Sequence, residues 1–394
     1  VIRPDSPVKT AQDFVNLMER RQEAYRIIDT GILDRTFDFP PGKYEINKTL
    51  EITKNGHLYL RGETSFYFGH EAGIKCFGQI TAKGDWKENK ELGSIFFLPF
   101  DNKKGWAGID FPEGNANQQC FDGCIFEGAQ GFHHKKLIMG GAISMENGKL
   151  IIKNCCFKGN NVEGNGAAIC LYGKEKIEFE FHNTEFFNNK AQEYGGAVSI
   201  NSACNGLIEN CKFEDNRSQE EGGGIYIKGY KKQETSVSFK DCLLGENRTR
   251  SSGGAIFLSC SQIKAQKCKF DSNQAQDSGG AILLAGESDY ITNAEFENCT
   301  FSMNRSQMRG GAVIGKKYTS IKCDKCQFDN NNSDRDSGGA IGLDGKRAGI
   351  ATKGVFIDSA FIENRCKIDG GAINANINTN TAFNDCRFES NVSE

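Results

Sequence analysis

The chain has only six prolines, two tryptophans and five histidines in 394 residues. Six prolines against 46 glycines suit many tight corners. No apolar run approaches the roughly 18 residues of a membrane helix, so no segment spans a membrane as a helix. The net charge is only −3, with a pI near 6.1, which argues against nucleic acid as the principal partner. The histidines (His57, His70, His133, His134 and His182) fall in no Ser-His-Asp order. If His133 and His134 share a strand, they point to opposite faces. Paired aspartates, Gly-His-Gly and Arg-Ile-Lys, the marks of polysaccharide hydrolases, are missing. A lyase needs only an Arg or Lys base, so its absence is harder to show. Neither a cofactor nor a metal site is legible.

What the chain does contain is a repeat. Gly-Gly-Ala-Ile or a near copy starts at Gly140, Gly166, Gly195, Gly222, Gly253, Gly279, Gly310, Gly338 and Gly370. The mean step is ~29 residues, a period that signals a solenoid or an array. Each repeat closes on Cys-x-Phe-x-x-Asn. Phe stands at 157, 186, 213, 270, 301, 328, 361 and 388, with Leu244 substituting once. Asn follows three residues later, from Asn160 and Asn189 through Asn273 to Asn391. Apolar residues between the motifs alternate with a period of two, as Ile256 and Leu258 or Val237 and Phe239 do, which is the strand signature. Three short strands per repeat describe one coil of a parallel β-helix, right-handed by the crossover rule. Equivalent residues then stack at about 4.8 Å, Phe on Phe and Asn on Asn.

Repeats pairing Gly-Gly-Ala-Ile/Leu/Val with Phe-x-x-Asn resemble those of the polymorphic outer-membrane proteins of chlamydiae, over roughly residues 124 to 394. The resemblance implies a surface-exposed or secreted β-helical passenger with adhesive or interaction duties. Two departures stand beside it: the repeat is missing from the N-terminal third, and no C-terminal translocator barrel is visible. The stretch FDFPPGKYEI, from Phe37, is similar to the opening coils of pectate-lyase-like β-helices.

Sixteen cysteines would ordinarily suggest disulfides. Cys124, Cys155, Cys211, Cys242, Cys268, Cys299, Cys326 and Cys386 instead sit two residues before the aromatic position, as an inward ladder of buried thiols. Asn216, Asn247, Asn304, Asn331 and Asn391 are glycosylation sequons and ladder residues at once, so a glycan there would have to displace a stacked amide.

The domain reading is an N-terminal capping region 1–30, coils over 31–138 with an irregular insertion at about 70–123, and regular coils over 139–394. Within the first, residues 10–29 read as an amphipathic helix that plugs the solenoid end. Within the insertion, Trp86 and Trp106 are candidate contacts. The acidic residues Glu193, Glu221, Asp277, Asp336 and Asp369, just before the glycine pairs, would form a carboxylate column if in register.

The repeat also alternates in length. The distance from the first glycine to the cysteine position is longer in every second coil, and each of those coils carries an extra glycine: Gly173, Gly229, Gly286 or Gly345. That describes a comb of four loops about 9.6 Å apart, twice the strand spacing. Tyr172 and Lys174, then Lys228, Tyr230 and Lys231, then Lys346 and Arg347 make three of the teeth basic or aromatic. The remaining one, from Glu287, is acidic. The expectation is therefore an all-β, right-handed parallel β-helix with an N-terminal helical cap. It would serve as a non-catalytic binding or structural protein with a protein or glycan partner, and could self-associate. The alternatives are a carbohydrate-active β-helix enzyme with its site among residues 70–136, and an intracellular scaffold or filament subunit.

Overall fold

The computed structural model describes residues 26–28, 31–85, 93–134, 137–230, 234–288, 290–346 and 349–394. The chain winds through four parallel sheets of 14, 13, 13 and nine strands, each pairing with its counterpart one coil away. We name the first three the Phe sheet, the Ile sheet and the long sheet. The Phe sheet holds Lys269–Asp271, the Ile sheet Ile256–Ser259 and the long sheet Thr235–Lys240, each with its equivalents. Strand order runs on without a break from Arg26–Ile28 to the last coil.

Two expectations are corrected here. Among the described residues there is no helix, and Arg26–Ile28, at the end of the stretch read as helical, is a strand paired in parallel with Tyr44 to Ile46. The rest of that stretch, 10–25 and Asp29, lies outside the described residues. The coil also has four strands, not three, from residue 161 onward. The fourth sheet is built of two-residue strands such as Arg217–Ser218, which pairs with Arg248–Thr249. Their inward residues, including Val162 and Ala191, are small and buried.

The stretch read as irregular, 70–123, contributes strands to the same sheets. Gly73–Cys76 and Gly108–Phe111 pair in the Ile sheet, and Gln79–Lys83 and Gln118–Asp122 in the long sheet. Ile95–Pro99 joins the Phe sheet, between Thr64–Phe68 and Cys124–Glu127. Departing from the stack is a hairpin, Phe132–His134 with Leu137–Met139, paired antiparallel.

Inside the coils, the Phe column is stacked nearly face to face. Ring centroids are 4.7 Å apart for Phe97–Phe126, 4.5 Å for Phe126–Phe157 and 4.6 Å for Phe270–Phe301. Leu244 takes its place in the column in register with Phe213 and Phe270. The asparagine column is more exacting. Asn216 Nδ2 donates to Asn247 Oδ1 at 3.0 Å and to Phe186 O at 2.9 Å, and the same pattern repeats from Asn160 to Asn364. Each oxygen also accepts the backbone N–H of the preceding asparagine, as from Asn216 N to Asn247 Oδ1 at 3.1 Å. A buried amide is thereby satisfied at both ends. Asn216, Asn247, Asn304 and Asn331 are fully buried, so these four sequons are closed to a glycan in the folded chain.

All sixteen cysteines are unbridged. The ladder thiols donate back to the carbonyl two residues earlier, as from Cys155 Sγ to Lys153 O at 3.0 Å. Cys155 also accepts from the coil before: Cys124 N donates to Cys155 Sγ at 3.4 Å. Thr184 and Ser359 fill the same position and accept N–H groups from Cys155 and Cys326. The position therefore requires a small side chain that both donates and accepts, which cysteine, serine and threonine all supply. Elsewhere in the interior, burial pushes the Cys76, Cys170 and Cys204 thiols up to about 12.

The paired glycines answer two separate demands. Gly279 has φ +68°, in the left-handed region, and a Cβ there would lie 2.4 Å from Ile282 O. A Cβ on Gly280 would lie 2.1 Å from Gly311 O in the next coil. The first glycine is required by backbone conformation, the second by close approach of successive coils.

Candidate binding surface

The corner that leads from the Ile sheet into the long sheet is where the coils differ. Its short versions are 34–35, 77–78, 146–147, 202–203, 260–261, 317–318 and 376–378, and its long versions 53–56, 112–117, 173–176, 229–234, 286–291 and 345–351. The last residues of the Ile strands lie in register, Tyr172 with Asn201, Lys228, Ser259, Ala285, Lys316 and Asp344. The four long corners from residue 173 onward therefore leave the rod at the same point of its cross-section, one every second coil.

Close packing explains the alternation. A Cβ on Gly229 would meet Cys260 O at 2.1 Å, and one on Gly286 would meet Lys317 O and Tyr318 O at 2.2 Å. Those carbonyls belong to the next, short corner, whose Cys260, Lys317 and Tyr318 have φ between 47° and 52°. The short corner tucks under the long one, and glycine is the residue that leaves room for it. Ser202, Ala203, Cys260, Ser261 and Tyr318 are accordingly buried. Lys174, Lys228 and Lys346 are exposed, and Tyr230 is 37% exposed.

Of the residues singled out in the sequence, Tyr172, Lys174, Lys228, Tyr230 and Lys346 thus share one edge. Tyr172 is half-buried at its root, where burial, followed by the nearby Asp110 and Glu146 carboxylates, pushes its phenol up. Lys231, Arg347 and Trp86 lie outside the described residues. Trp106 is not an exposed contact residue. It is 1% exposed, stacks on Phe68 with centroids 4.5 Å apart, and donates Nε1–H to Glu127 O at 2.8 Å. Its loop brings the indole inward because an apolar ring next to the Phe column gains more from burial than from solvent.

The acidic tooth is a tight turn: Glu287 and Tyr290 exchange backbone hydrogen bonds of 3.2 and 2.9 Å. Burial and then the Glu234 carboxylate, from the preceding long corner, push the Tyr290 phenol up. Lys316 was not singled out in the sequence. It comes from a short coil but lies in the Lys228 column and pairs with Asp277 at 3.8 Å. Only the register of the strands reveals that placement.

The carboxylates before the glycine pairs do not form one column. Glu193, Asp277 and Asp336 stand two residues before the first glycine, Glu221 and Asp369 one residue before it. Asp277 accepts from Ser252 Oγ at 3.1 Å, and Asp336 pairs with Arg309 at 3.2 Å. Two of the five therefore already have partners within the chain.

The long sheet presents a polar outer face. There Lys149 pairs with Glu180 at 2.7 Å and Lys240 with Glu209 at 2.6 Å, while His182 lies 3.3 Å from Glu209. The Lys240 ammonium holds the Glu209 carboxyl below its ordinary value, and the Lys149 ammonium does the same for Glu180. A shallow depression of about 360 Å³ crosses this face beside Ser238, Lys264 and Glu295.

The chain belongs to the right-handed β-helix family. The family model described as "Right handed beta helix region" matches residues 122–307 and 167–348, which together span more than half of the chain. A solved structure, that of the Streptococcus pneumoniae surface protein and adhesin PfbA, is 8% identical and covers 91% of this chain and 90% of its own, with a TM-score of 0.28. At that TM-score the likeness carries no argument about function. No curated protein matches the chain.

Proposed function

We propose that the chain is a non-catalytic binding module, an adhesin-like or assembly component that engages a protein or glycan along an extended edge. The observation that carries this reading is the comb. From residue 173 onward, four long corners leave the rod at one point of its cross-section, with short, buried corners between them. Stacked coils offer flat faces and projecting loops rather than deep clefts, a geometry suited to partners that span several coils. Function is expected where a locally consistent pattern is broken, and this corner breaks it in every second coil. The repeat's resemblance to the chlamydial outer-membrane proteins belongs to the same reading, with a cell-surface or secreted setting.

Shortening 228–233 and 346–350 to the length of the short corners tests it. Folding is expected to survive, because neighbouring coils already turn in two residues at 202–203 and 260–261. Binding of the trimmed protein to a cell or matrix preparation that retains the intact chain should fall at least about tenfold, the loss of one or two good contacts. Unchanged binding would remove the comb from the account. Release of reducing or unsaturated sugar ends from a polysaccharide would replace binding with catalysis.

A further inference from the structure

A second, unrelated concavity lies near the other end of the rod. It is a cleft of about 380 Å³ between the hairpin and the first coils, floored by Trp106 and walled by Thr49, His70, Glu71, Gln130 and Phe132. Its geometry is specific. His70 Nδ1 lies 3.0 Å from Lys104 O. A carbonyl can only accept, so Nδ1 carries a proton, and Nε2 is left outside that bond. That nitrogen is 4.0 Å from Glu71 Oε1, too far for a hydrogen bond between them. Among the described residues no lysine or arginine pairs with Glu71, whose backbone is held at φ 62°. Phe132 lies down over the Ile sheet because Gly73 leaves it room: a Cβ there would be 2.7 Å from the ring's Cζ.

The cleft therefore offers a carboxylate that no described lysine or arginine pairs with, an imidazole beside it, two further side chains able to accept, and an aromatic face. We propose that it binds an arginine side chain presented by a partner protein. A guanidinium is flat, stacks on aromatic rings and carries donors in a fork that fits a carboxylate. The volume suits a single side chain with its flanking backbone. This site is remote in sequence from the comb and does not depend on it.

The test uses the full chain with labelled indole nitrogens. Trp106 is followed by NMR while N-acetylarginine amide, its citrulline counterpart and glucose are added in turn. A saturable shift of the Trp106 indole signal is expected with the arginine compound. The uncharged citrulline compound should bind at least about tenfold more weakly, and Glu71→Gln should reduce arginine affinity by a similar factor, as loss of a charge-assisted hydrogen bond implies. The comb-trimmed protein should respond like the intact chain. The proposal is overturned by no shift with arginine, by equal binding of citrulline, by glucose saturating the same signal, or by an unaltered Glu71→Gln response. Loss of the response on trimming would place the cation at the corners and also refute it.

Discussion

Asn247→Ala is expected to destabilise the coils around it by roughly 3–6 kcal/mol, although it removes only a short polar side chain. Asn247 Nδ2 donates to Phe213 O at 2.8 Å and to Asn273 Oδ1 at 3.0 Å. Its Oδ1 accepts from Asn216 N at 3.1 Å and Asn216 Nδ2 at 3.0 Å. Alanine leaves both donors of Asn216 without that acceptor in a fully buried column, where each orphan costs about 1–3 kcal/mol. A solenoid's stability is nearly a sum of neighbouring terms, so the effect should concentrate in adjacent coils. Urea unfolding together with amide exchange of residues 210–275 would show it. A change below about 1 kcal/mol would mean the column is not hydrogen-bonded as described.

The second large effect is apolar. Phe270→Ala should cost roughly 3–5 kcal/mol, the range for deleting an aromatic ring from a packed interior. Phe270 stacks on Phe301 with centroids 4.6 Å apart, meets Phe296 edge-on at 6.1 Å, and is paired with Leu244 on its other side. Phe270→Leu should recover most of the loss, because Leu244 already occupies the same column between two phenylalanines. Thermal unfolding of the two variants distinguishes cavity from chemistry. Alanine and leucine variants of equal stability would show that the ring does not fill the bore.

The features legible in the sequence were those that repeat. The Phe, Asn and Cys positions recur in each coil because in-register stacking demands the same side chain at the same height, and the structure places them in columns. Loop alternation was legible from chain length alone, and the extra glycine marking each long corner now has a physical cause in the neighbouring carbonyls. The fourth sheet was hidden because Arg217–Ser218 and its equivalents are two residues long, too short to show a period of two. In 70–123 the strand signal was present, as in Ile80 and Ala82 or Ile95 and Phe97. Turns of unequal length around Asp101 and Gly114 broke the repeat while register was kept. The burial of Trp106 depends on Phe68, a contact between residues far apart in the chain that no local pattern reports. The His70 cleft likewise joins residues from Thr49 to Phe132.

The stack of coils is most directly tested by deuterium exchange of the asparagine side-chain amides in the native chain. Asn160, Asn189, Asn216, Asn247, Asn273, Asn304, Asn331 and Asn364 are fully buried, each giving its amide to the next coil and to a carbonyl. A protected set of these signals should persist long after exposed asparagines such as Asn183 and Asn330 have exchanged. Loss of every asparagine side-chain signal at one fast rate would contradict the stacked-coil fold.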